Sequence, residues 1–206
     1  MNEWPPVPMW HKAVPTPPGR PPLVWLVGVH GGAGTTSLAA SMSWTGDAGR
    51  RWPGRIGLVR DMDSPLVVLV ARTHMSGIAA LEHALLAHEH DATPAGSNLV
   101  GIVTVADSAR PLSPAVAKRR EGVEARAVDI GAEVWRLPWL EQWRELEPHR
   151  LPVWSPDSVS SPVDEGDATR TPPQPVRQFA EQLFIASRAV GMRLTASDDT
   201  EHRNTG

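Results

Sequence analysis

Residues 24–40 read VWLVGVHGGAGTTSLAA. Leu23 to Val29 is a continuous apolar run, the mark of a strand buried on both faces, as in a parallel sheet. Gly31, Gly32 and Gly34 follow within a short turn, and Thr35, Thr36 and Ser37 then open a helical pattern with Leu38, Ala39 and Met42 apolar. A strand, a glycine-rich turn and a helix start form the local architecture that holds phosphate. Glycines let backbone N–H groups converge, and a helix N-terminus faces the anion.

Outward from this turn the pattern repeats. Leu66 to Ala71 (LVVLVA) and Leu99 to Ala106 (LVGIVTVA) are two more buried strands, and Glu133 to Leu137 (EVWRL) is a shorter one. Between them, Ser76 to Glu89 carries Ile78, Leu81, Leu85 and Leu86 at helical spacing, and Ser113-Pro114 opens a helix to about Ala127. Thr35 to Trp44 and Pro138 to Leu146 are expected as helices, Ile56 to Val59 as a short strand, and Trp44 to Arg55 as a loop. Alternating strands and helices predict an α/β fold, a three-layer parallel sheet with flanking helices, over residues 23–147. Ligands in such sheets sit at the C-terminal strand ends.

Residues 1–22 are proline-rich and read as an extended arm. Residues 148–173 read as a disordered linker, 174–192 as a C-terminal amphipathic helix and 193–206 as a polar tail. The 206-residue chain has a net charge of −3 and no cysteine. That composition excludes disulfides and thiolate metal sites, and it gives no overall basic field for nucleic acid. No run is long and apolar enough for a membrane span, and no secretion signal is evident, so a cytoplasmic location is expected.

The stretch VGVHGGAGTTSLA resembles the deviant Walker A motif of the ParA/MinD class of P-loop ATPases, KGGxGK[ST][ST]. Gly31, Gly32 and Gly34 fall on the family glycines, with Ala33 between them. Thr36 falls on the hydroxyl that holds magnesium. Thr35 takes the place of the catalytic lysine and His30 that of the signature lysine, so both family lysines are missing. The resemblance implies a shortened P-loop fold, ATP with Mg2+ as ligand and a homodimeric state. It also implies a nucleotide contact after the third confident strand, where Asp107 and Arg110 are candidates. Ser37 completes the hydroxyl run. No clean match to the family's Walker B aspartate is readable; Asp61 and Asp63 follow an apolar run in a different style.

Removing a transition-state donor costs about 10²- to 10³-fold in rate, and a threonine hydroxyl gives roughly half the strength of a charge-assisted bond. A cationic His30 would not replace both lysines, whereas Arg72, at the end of a strand, would reach the same region and supply charge. Three functions follow. One is a nucleotide- or phosphate-binding regulatory module with little hydrolysis, working through a protein partner at the C-terminal helix or the proline-rich arm. The second is an active ATPase in DNA partition, conjugation or positioning, with charge supplied by arginine. The third is a structural scaffold.

Other features have plainer readings. Thr73 and Ser76 are rim or capping residues. His83, His88 and His90 lack metal-ligand spacing. Trp139 and Trp143 are expected in a core or partner groove rather than against a base, and Lys118-Arg119-Arg120 as a solvated face.

Overall fold

The computed structural model describes residues 7–16, 21–58, 61–157 and 169–204. Five strands, β1 (Val24–Gly28), β2 (Thr45–Asp47), β3 (Leu66–Arg72), β4 (Asn98–Val105) and β5 (Glu133–Leu137), form one sheet in the order β2-β1-β3-β4-β5. Every pairing is parallel. β1 is buried along its whole length and β3 over all but Arg72, which is why both are uninterrupted apolar runs.

Four helices cover the sheet. α1 (Thr35–Ala40) and α4 (Gln174–Asn204) lie on one face, and α2 (Met75–Glu89) and α3 (Pro114–Asp129) on the other. Leu26, Val68, Val70 and Trp135 pack on the first face with Leu38, Phe179 and Leu183. Trp25, Val27, Leu69 and Ile102 pack on the second with Ile78, Leu81, Leu85 and Val123. The α/β reading with helices on both sides therefore holds. Ser113 caps α3 by accepting the Val116 N–H, with Pro114 in the first turn, as its sequence predicts.

Several elements differ from their sequence expectation. The loop expected at 44–55 contains β2. Three residues at a sheet edge, with only Gly46 fully buried, carry too little apolar pattern to signal a strand. Ile56 forms only an isolated bridge to Asp63; Val59 lies outside the described residues. The helix expected from Pro138 is reduced to a 3-10 turn at Glu141–Arg144, and α1 ends at Ala40.

Residues 7–16 lie against the body. The Trp10 indole N–H donates to the Ala48 carbonyl, and Val14 is buried with its N–H on the Asp63 carboxylate. The chain after β5 also packs back, pairing Trp154 with Ser41 and Ser43 at the end of α1. α4 extends to Asn204 and buries Val176, Phe179, Ala180 and Leu183 in the sheet's own core. The apolar face that suggested a partner helix is thus largely spent within the chain. Residues 1–6, 17–20, 158–168 and 205–206 of the expected arm, linker and tail lie outside the described residues.

β1 has β2 on one side and β3 on the other. The chain leaves β1 in one direction and returns past it in the other. Such a reversal opens a crevice at the C-terminal ends of the two central strands. The glycine turn closes β1 and Arg72 closes β3, so both stand at this crevice.

Candidate functional site

The glycine turn leaves β1 with Gly32 at φ 76° and Gly34 at φ 100°, a left-handed geometry suited to glycine. Gly34 is the N-cap of α1, and no side chain caps the helix. Residues 31–32 form a hydrogen-bonded turn, and among the described residues no backbone N–H from Thr35 to Ser37, the first turn of the helix, donates to a protein acceptor. Consecutive unsatisfied donors at a helix start make a local positive pole. Ala33 is buried in the core, and Thr35 is largely buried at the first helical position.

The Thr36 hydroxyl donates to the Asp47 carboxylate at 2.6 Å, while the other Asp47 oxygen accepts the Gly49 N–H at 2.7 Å. Asp47 ends β2, the strand beside β1. It places a carboxylate beside the turn, within hydrogen-bond distance of Thr36. Asp61 and Asp63 do not: they precede β3, at the opposite end of the sheet, and Asp63 holds the Val14 N–H. Burial pushes the Asp63 carboxyl up, partly offset by that N–H and by Arg55. Asp47 was hidden from sequence reasoning because the three-residue edge strand carrying it has no periodicity. Thr36 and Asp47 offer a hydroxyl and a carboxylate, hard oxygen donors that suit Mg2+ with water and phosphate completing its shell.

Arg72 turns across the turn. Its Nη1 donates to the Ala106 carbonyl at 2.7 Å and its Nε to the Gly32 carbonyl at 3.4 Å. A Cβ built on Gly34 would lie 3.5 Å from Nη2. The guanidinium is half-buried, and among the described residues no carboxylate lies within ion-pair distance of it. Burial holds its pKa below the usual arginine value, an effect Asp107 partly offsets. Nearby, the Arg50 guanidinium would stand 3.9 Å from a Cβ at Gly31.

His30 has a different role from the cation its place in the motif suggests. Its Nε2 accepts the Arg72 backbone N–H at 2.9 Å, so the proton belongs on Nδ1, which donates to the Gly31 carbonyl at 2.8 Å. Both nitrogens are engaged in the neutral ring. Burial, then the nearby His74 and Arg72, push its pKa down, against the raising effect of the Gly31 bond. His30 thus ties the turn to the end of β3. His74 touches it edge-on at 4.8 Å and caps α2 through the Gly77 N–H.

The remaining candidates divide. Thr73 is buried and accepts the Asp107 N–H, which brings Asp107 near Arg72 and His30. Ser76 bonds to His74. Arg110 is exposed, with its N–H on Ser108, and no described bond links it to the turn. His88 stacks on Trp52 and His90 bonds to the Leu86 carbonyl. Arg119 is paired with Glu82, and Arg120 with Glu124.

A cleft of about 210 Å³ adjoins the turn, lined by Gly34, Ser37, Arg72, Trp139, Trp143 and Arg144. The Arg72 and Arg144 guanidiniums stand 5.8 and 5.5 Å from the Trp139 ring centre, and the Trp139 indole N–H donates to the Glu141 carboxylate. The site thus combines free backbone donors, a half-buried cation, a hydroxyl–carboxylate pair and an aromatic wall. Such a combination can hold an anion with a magnesium ion beside it.

No family model, curated protein or solved structure matches this chain in comparison. Among the described residues, no helix is long and apolar enough to cross a membrane.

Proposed function

We propose that this chain binds the phosphates of a nucleotide at the Gly31–Ser37 turn and acts as a regulatory or interaction module with little or no hydrolysis. The observation that carries the proposal is Arg72, a half-buried guanidinium beside the turn that is held by two carbonyls and has no carboxylate partner among the described residues. A cation withdrawn from water favours an anion nearby, and the free N–H groups at the start of α1 face the same need. Arg72 takes over part of the charge that the absent lysines supply in the ParA/MinD class. Thr36 and Asp47 are the residues that would hold Mg2+; the ion would supply further charge against the phosphates.

Weak or absent turnover follows from the same inventory. Arg72 is fixed by bonds to the Gly32 and Ala106 carbonyls, and neutral His30 adds no charge. Neither is free to track charge moving to a leaving oxygen, and stabilisation of that charge is the main catalytic term in phosphoryl transfer.

Calorimetry with ATP, GTP and ADP, each with and without magnesium, tests this reading. Binding is expected with at least one of them. It should weaken about tenfold or more in Arg72→Ala, the loss of a charge-assisted bond. The magnesium dependence should disappear in Thr36→Ala. No heat and no thermal shift at millimolar nucleotide would leave the fold as a scaffold. Steady turnover abolished by Gly34→Val would instead establish an active ATPase.

A further inference from the structure

Beside the turn, the segment after β5 carries Trp139 and Trp143 into the cleft, with Arg72 and Arg144 against the first of them. Sequence reasoning gives these tryptophans a packing role. Packing accounts for Trp143 in part, since it borders the core under α1. It does not account for three further observations. Trp139 is only half-buried although two guanidiniums stand within 6 Å of its ring centre. The Trp143 indole N–H is shielded from solvent, yet it has no hydrogen-bond partner. The cleft they line opens beside Gly34 and Ser37, at the start of α1.

We propose that this cleft receives the nucleobase of the ligand whose phosphates lie on the turn, with the ring stacked on the tryptophan wall. The proposal rests on the phosphate reading above and adds what the rest of the ligand is. Size supports it: about 210 Å³ is below the ~300–1,000 Å³ of pockets that enclose a whole drug-sized ligand. A single flat ring system fits, while sugar and phosphates stay outside along the turn. Chemistry supports it as well. Indole faces stack on any base, and guanidiniums at the rim complement ring carbonyls and phosphates.

Calorimetry comparing ATP with inorganic tripolyphosphate on the full chain separates the two layers. The expected result is that both bind and that ATP binds about 10- to 100-fold tighter, the range stacking supplies. The ATP-to-tripolyphosphate ratio should then fall towards one in Trp139→Leu and in Trp143→Leu. Equal affinity of the two ligands for the unmodified protein overturns the base site and leaves the phosphate reading standing; this arm needs no variant to fold. A preference for ATP that both variants retain also overturns it, because the base then lies elsewhere. Failure of both ligands to bind overturns the phosphate reading and the base site with it.

Discussion

At the scale of single residues, the turn is governed by backbone geometry and by one neutral ring. Gly34 sits at φ 100°, and a Cβ there would meet nothing closer than 3.5 Å. Space is therefore adequate and the backbone is the obstacle. Gly34→Ala should cost about 1–2 kcal/mol in chemical denaturation, whereas Gly31→Ala, outside the left-handed region and facing only Arg50 at 3.9 Å, should stay within about 0.5 kcal/mol. His30 sets a pH dependence. Its folded pKa lies below its ordinary value of 6.5, so the unfolded chain takes the proton first. Its contribution to stability is full above pH 6.5 and is lost as pH falls through the folded value. His88, pushed down by burial with Asp91 opposing, acts with the same sign. Denaturation midpoints should drop on acidification below pH 6.5, and less steeply in His30→Gln; a flat profile would show that the native turn does not disfavour protonation of the ring. The glycines were legible as a turn because few other residues tolerate that backbone. The neutral state of His30 was not, because it depends on an N–H forty-two positions away.

Among the elements, the two that matter most to the site were the hardest to read. β2 is three residues long, yet its last residue holds Thr36. The 3-10 turn at Glu141–Arg144 brings Trp143 and Arg144 to the cleft, where a regular helix would have turned them by a different angle. Neither segment has a period, so only the sheet's geometry reveals its role. The long buried strands β1, β3 and β4 were plain, because central parallel strands must be apolar on both faces. Their partner α4 was visible as an amphipathic helix, but its docking site was not, since periodicity shows that a face is apolar and not what covers it. Leu183 is fully buried on the α4 side of the sheet. Leu183→Ala should cost about 2–5 kcal/mol, measured by urea unfolding. A loss below 0.5 kcal/mol would mean that α4 does not contribute to the core in solution.

For the molecule as a whole, alternation of strands and helices predicts the layered fold, and the strand order places the site between β1 and β3. That order could not be read from sequence. Nothing along the chain shows that β2 and β3 take opposite sides of β1, and only those positions create the crevice. Charge completes the account at this scale. The net charge is −3, yet Arg50, Arg72 and Arg144 gather at one end of the sheet. Phosphate affinity should accordingly decline with added salt, but modestly, because Arg72 is half-buried and screened less than an exposed charge; salt-independent binding would point away from the arginines. The seating of α4 has one more consequence, which concerns time rather than structure. The face made by Val68, Val103 and Trp135 is covered by α4, an element synthesised after every strand of the sheet. Until it emerges, a nascent chain presents a nearly complete sheet with one greasy side bare, the kind of surface on which chaperones act and chains aggregate. A chain ending at Pro173 should therefore bind ANS and sediment from solution, and a separate 174–204 peptide should suppress both.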